Sequence, residues 1–242
     1  MQTIKLRHSN YLSGAKVCLS VLFLMITFWA NAQEEKMNNP EHDTKPYYFG
    51  ISVGLNFSQY HLEQSKYFID YDTVMNITPY WKPGFHLGIM GNLRLGSFVD
   101  LRAIPSFVLR EQALRYQLRN DSVINTSFES ILFSMPIEFK FKSDRQTNFR
   151  FYVCAGGKID YDFNANSRSK RPDEPLKVKP LDYGYNLGLG FEFYYPNFIF
   201  APEIKVSNGL GNSLSNNSDE ITNKALNRIT TRMILLSIHI QG

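Results

Sequence analysis

His61, His86 and His239 are the histidines that fall in strand-like stretches of this chain, and they are the first candidates for acid–base chemistry. A serine within reach would complete a nucleophilic pair. None stands at a spacing that suggests a shared catalytic position, and no Gly-x-Ser-x-Gly elbow occurs. Asp160 and Asp162 share one strand face, where they fit either paired carboxylates or a row of interior charges. Ala155-Gly156-Gly157-Lys158 has some residues of a phosphate loop but lacks the upstream glycine and the following Ser or Thr. Gly184, Gly188 and Gly190 lie on one strand face, so they read as small packing residues and not as a dinucleotide fingerprint. With no metal-ligand cluster visible, the residues predict no catalytic site, cofactor site or metal site, and no enzyme.

The elements that carry these side chains are eight long stretches of period-two alternation. The sixth is the clearest: Tyr183, Tyr185, Leu187, Leu189, Phe191 and Phe193 alternate with Asp182, Gly184, Asn186, Gly188, Gly190 and Glu192. The first alternates from Tyr47, and Gly96-Ser97 and Tyr195-Pro196-Asn197 mark tight turns. Pro105 is the weak point of the third strand, since it cannot donate to a ladder, and Arg232 breaks the phase of the eighth. The connections alternate long and short. The long ones, Glu63–Pro79, Glu111–Thr126, Asn164–Pro180 and Asn208–Lys224, all fall on one rim. That rhythm predicts an all-β fold, an eight-stranded antiparallel transmembrane β-barrel with its loops outside the cell.

The ends of the chain agree with export. Lys5, Arg7 and Lys16 precede an apolar run from Val17 to Trp29, and Ala30-Asn31-Ala32 supplies the small residues a signal peptidase cuts. Residues 1–32 therefore read as a cleaved signal, 33–46 as a flexible periplasmic leader without periodicity, and 47–242 as the barrel. The signal holds three of the 26 basic residues and none of the 22 acidic ones, so the mature chain is nearly neutral and has no nucleic-acid footprint. Cys154 is the single cysteine left after cleavage, which excludes an intramolecular disulfide and a thiolate pair for structural zinc.

Volume decides which face is inside. An eight-stranded barrel is just wide enough to be filled by side chains. Eight rows of large apolar residues would overfill it, so those rows face lipid. The lumen then holds Arg94, Asp100, Arg102, Glu138, Lys140, Arg150, Lys158, Asp160, Glu192, Glu203 and Lys205, a nearly balanced set expected to pair and close the interior. Tyr47, Tyr80, Trp81, Tyr183, Tyr194 and Tyr195 lie at strand ends and are expected in aromatic girdles. The third loop carries Arg168, Lys170, Arg171, Lys177 and Lys179, candidate contacts for lipopolysaccharide phosphates; a solvated loop is the plainer reading.

The block Phe128-Glu129-Ser130-Ile131-Leu132-Phe133-Ser134-Met135-Pro136-Ile137-Glu138-Phe139-Lys140-Phe141-Lys142-Ser143, followed by Asn148-Phe149-Arg150-Phe151-Tyr152-Val153 and Gly156-Gly157-Lys158, resembles the PorT family of outer-membrane barrels from the Bacteroidetes lineage. Tyr48-Phe49-Gly50 in the first strand and the aromatic sixth strand fit the same layout. The resemblance implies an accessory protein of the type IX secretion system, with secretion-system proteins and outer-membrane lipid as partners and no catalytic residues to carry over. Too narrow to pass a folded cargo, such a barrel is expected to act as a scaffold or docking protein and not as the conduit. A general small barrel, serving as envelope tether or surface adhesin, and a lipid-modifying enzyme are the alternatives.

Overall fold

Period-two alternation gives each strand two side-chain rows, and closure into a ring gives every backbone group a partner without water. The computed structural model describes residues 37–64, 74–118, 123–165, 178–214 and 226–242; the expected signal, 1–32, lies outside them. Its strands are β1 (Tyr47–Gln64), β2 (Val74–Tyr80), β3 (Lys82–Arg94), β4 (Val99–Ala103), β5 (Ser106–Leu118), β6 (Val123–Lys142), β7 (Phe149–Asp162), β8 (Leu181–Tyr194), β9 (Ile199–Gly209) and β10 (Leu226–Gln241). β2 with β3 and β4 with β5 are each one interrupted stave, so ten segments make eight staves. All neighbours are antiparallel, and β1 closes the ring by pairing with β3 on one edge and β10 on the other.

Both interruptions have local causes. Between the pairs Tyr80↔Ala113 and Phe85↔Leu109 one side takes one residue more than the other, so Trp81 sits at a bulge and is exposed. At Pro105 the register does not slip, since Gly91↔Ala103 and Gly88↔Ser106 stay in step. Only the proline's missing N–H is lost, and its carbonyl still accepts from the Ile89 amide at 3.0 Å.

Accessibility separates the two rows. Ile89 is 67% exposed and Phe49 62%, whereas Arg102, Glu138, Lys140 and Glu192 are 0% exposed. The apolar rows therefore form the outer wall. Among the described residues no helix is long and apolar enough to cross a membrane; the exposed apolar rows fit a crossing by strands.

Toward the long-loop rim the polarity of the two rows inverts while the strand phase continues. On β1 the outward row changes after Phe57 to Gln59, His61 and Glu63, and the inward row brings Tyr60 into the interior. β5 and β6 change together at the paired Glu111 and Glu129, while Leu114 turns inward. Arg232, opposite Gln59, is likewise outward and hydrogen-bonds Asn208 Oδ1 at 3.2 Å. Its apparent break of phase is thus a change of surroundings. Above the hydrocarbon the outer wall meets water, and the ordinary rule of polar outside and apolar inside returns.

The same inversion corrects the loop boundaries. The stretch Glu111–Thr126, expected as a loop, is mostly hairpin, with β5 and β6 paired as far as Gln117↔Val123. Loss of an apolar outer row marks the end of the bilayer and not the end of the strand, because ladder hydrogen bonds need no apolar side chains. The leader is corrected as well. Residues 33–36 lie outside the described residues, but 38–46, expected to be flexible, pack on the short-turn rim, with Pro40–Thr44 as a 3-10 helix.

Candidate functional site

Each stave contributes an inward side chain at each level, so the lumen is a stack of small layers. At its middle, Arg102 on β4 donates from Nη2 to Glu138 Oε2 at 2.7 Å and from Nη1 to Glu203 Oε2 at 2.6 Å. Lys205 reaches Glu138 at 2.8 Å and Glu203 at 3.1 Å, and Asn186 Nδ2 donates to Glu138 Oε1 at 2.9 Å. Two acids thus face two bases deep inside the barrel, where an unbalanced charge would be strongly unfavourable. A second set lies nearer the short-turn rim: Lys140 with Glu192, and Lys142 with Asp100 at 2.6 Å. The expected pairing of interior charges is present, and Lys158 with Asp160 at 2.6 Å extends it.

Glycine makes room for this network. A Cβ at Gly190 would lie 2.5 Å from the ring of Tyr152, whose hydroxyl donates to Glu203 Oε2 at 2.9 Å. One at Gly188 would lie 2.7 Å from Cys154 Sγ. The glycine row of β8 is therefore space for buried neighbours.

The candidate catalytic residues are placed as follows. His61 is exposed, while His86 and His239 face the lumen. Ser237 Oγ lies 3.1 Å from His86 Nε2, a pair that spacing alone did not show because 151 positions separate the two residues. Among the described residues nothing orients the other ring nitrogen of His86. His239 turns to Glu203 at 3.4 Å. The chamber lined by His86, Ser237, Ser106, Ser134 and Asn186 has a volume of about 30 Å³, room for a water or two. Asp160 is held by Ser134 and Lys158, and Asp162 lies 4.0 Å from Arg110. Glu138, Cys154 and Glu203 bring potential metal ligands within 4.8 Å of one another, but Arg102 and Lys205 already neutralise the two carboxylates.

The short-turn mouth is closed by aromatic and ionic contacts. His42 is 3% exposed and packs edge-on against Tyr48, with ring centroids 4.5 Å apart, and against Tyr194 at 5.9 Å. Burial drives its pKa down to about 4; Glu192 opposes that shift and Arg94 adds to it. Asp43 meets Arg150 at 2.9 Å, Arg145 at 3.1 Å and Arg94 at 4.0 Å. Burial opposes its ionisation, but Arg150 and Arg145 outweigh burial and hold its carboxyl below the ordinary value. Tyr194, expected in the outer girdle, is instead 2% exposed and bonds Glu192. Tyr47, Tyr80, Trp81, Tyr183 and Tyr195 are exposed at strand ends.

At the other end the lumen closes on apolar side chains. Tyr60, Ile77, Leu114 and Ile229 from four strands meet Ala165, Val178 and Leu214 from the loop rim. Of the basic residues in the third loop, Arg168, Lys170, Arg171 and Lys177 lie outside the described residues, and the Lys179 amide donates to the Ser213 carbonyl.

A closed ring of eight staves, with an apolar wall and a filled polar interior, defines a small outer-membrane β-barrel. The chain belongs to the family described as outer membrane protein beta-barrel domain, whose profile matches residues 31–215. No curated protein sequence matches it significantly. Among solved structures it is similar to Neisserial surface protein A, at 13% identity and a TM-score of 0.45 over 81% of this chain and 96% of that one. It is also similar to the outer membrane protein OprG from Pseudomonas aeruginosa, at 11% identity and a TM-score of 0.43 over 81% of this chain and 91% of that one. The attachment invasion locus protein Ail of Yersinia pestis matches at 13% identity and a TM-score of 0.38, over 82% of this chain and all of that one.

Proposed function

We propose that this protein is a non-conducting, non-catalytic scaffold of the outer membrane, acting through its rims. The carrying observation is the lumen: the paired charges of Arg102, Glu138, Glu203 and Lys205 fill its middle, and separate clusters close both ends. A barrel so filled serves by what it holds at the membrane and not by what it passes. Planar-bilayer recordings of the pure protein are expected to show no steady porin-like conductance; large stable channels would reject the reading. The lipid A of a deletion strain is expected to keep its mass spectrum, and a changed one would favour an enzyme.

A finer reading is an accessory role in type IX secretion. It rests on the resemblance of the Phe128–Ser143 block and the Asn148–Val153 strand to the PorT family. Under this reading the barrel docks other secretion proteins while cargo passes elsewhere. The secretome of a deletion strain tests it: cargo proteases should be trapped in the periplasm, and normal export would leave only the general scaffold.

A further inference from the structure

Asn38–Lys45 lies on the short-turn mouth in the manner of a bound peptide. Its main chain is read at several points: the Asn38 amide donates to Asn148 Oδ1 at 2.8 Å, and Arg145 donates to the carbonyls of both Asn38 and Asn39. Arg94 Nη2 donates to the His42 carbonyl at 3.0 Å. Asn39 takes a left-handed conformation, φ 47°, which asparagine tolerates better than most residues. Beyond that kink two side chains are read: the ring of His42 between Tyr48 and Tyr194, and the carboxylate of Asp43 among three arginines.

The His42 ring has no hydrogen-bond partner on either nitrogen among the described residues. The pocket therefore reads it as a flat, apolar-faced ring. Asp43 is the complement, a carboxylate facing more positive charge than it carries. Charge-assisted hydrogen bonds from guanidinium groups are the strongest polar contacts at such a surface.

We propose that the short-turn mouth is a peptide-binding site, occupied in cis by Asn38–Lys45, whose ligand class is a short segment with a planar ring followed directly by an acidic side chain. The inference deepens the scaffold reading, since a rim that recognises such a segment is a docking surface, but it is argued from the cis contacts and stands without that reading. Tethering gives the cis segment an effective concentration on the order of mM, so free peptide competes poorly with it.

The test uses the mature chain in detergent micelles and a fluorescent peptide of sequence Asn38–Lys45. A chain in which those eight residues become a Gly/Ser linker should bind the peptide, with affinity falling as salt rises, while the unaltered chain binds at least about tenfold more weakly. An Asp43→Asn peptide should lose about tenfold or more, because charge-assisted contacts are removed. Failure of the folded linker chain to bind, or equal binding of the Asp43→Asn peptide, overturns the proposal. Should the linker chain not assemble, deuterium uptake of Asn38–Lys45 in the Asp43→Asn full chain decides the matter. Faster exchange is expected, and an unchanged rate overturns it. A scaffold with no partner in vivo would still bind the peptide in vitro, so the two readings fail separately.

Discussion

The two ends of this lumen are closed by opposite chemistry. At the short-turn mouth His42 packs edge-on against Tyr48 and Tyr194 beside Asp43 and its arginines, and the neighbouring layer of the lumen continues as ion pairs. At the long-loop mouth Tyr60, Ile77, Leu114 and Ile229 close the barrel with apolar contacts. The difference follows from what lies outside the wall. Where the wall is in hydrocarbon, the apolar residues face outward and the polar ones are left to pair within. Beyond the level of Gln59, Glu111, Glu129 and Arg232 the wall is in water, and the apolar residues move inside. A single strand such as β5 obeys both rules in turn.

Five measurements break or sharpen this contrast. The largest effect is expected for Arg102→Met, which leaves Glu138 and Glu203 facing Lys205 alone and should cost about 3–5 kcal/mol in reversible urea unfolding. Trp81, the single tryptophan after residue 32, reports the transition, and Glu203→Gln in the same chain should recover part of the loss. Unchanged stability of Arg102→Met would mean the ionic layers are not sealed. Leu189→Arg, on the lipid face, should cost about 2–4 kcal/mol, whereas Asn186→Ser should cost less despite its bond to Glu138.

At the apolar end Leu114→Ala should cost about 2–3 kcal/mol through lost packing. Arg232→Leu, on the outer wall above the hydrocarbon, should stay within about 0.5 kcal/mol. A large stabilisation by that leucine would put Arg232 in the bilayer and remove the inversion. The last measurement concerns pH at the ionic mouth and reads docking of the segment instead of global stability. His42 and Asp43 both have pKa values lowered by docking, so the free segment binds protons more readily than the docked one. Docking is then complete above about pH 6.5 and weakens as pH falls toward 4, first through His42. Hydrogen exchange of Asn38–Lys45, corrected for intrinsic rate, should be faster at pH 5 than at pH 7; the opposite order would refute the sign.

How far the chain could be read in advance depends on the range of the interaction. The row Tyr183 to Phe193 announces a lipid face by itself, since alternation is local and bilayer thickness makes it long. Pro105 interrupts its stave where its missing donor says it should. Tyr194 does not: its position at a strand end suits a girdle, but the pocket around His42 and the acceptor Glu192 draw it inward. His86 and Ser237 meet only because β3 and β10 both flank β1.

By sequence alone the strand count, the lipid-facing rows, the short-turn rim and the balance of interior charge were settled, because each follows from residue type at a fixed period. Tertiary structure decided which charge meets which, where the wall leaves the membrane, and that Asn38–Lys45 docks. Those outcomes depend on residues up to a hundred or more positions apart reaching one level of the ring, and no local pattern encodes that distance.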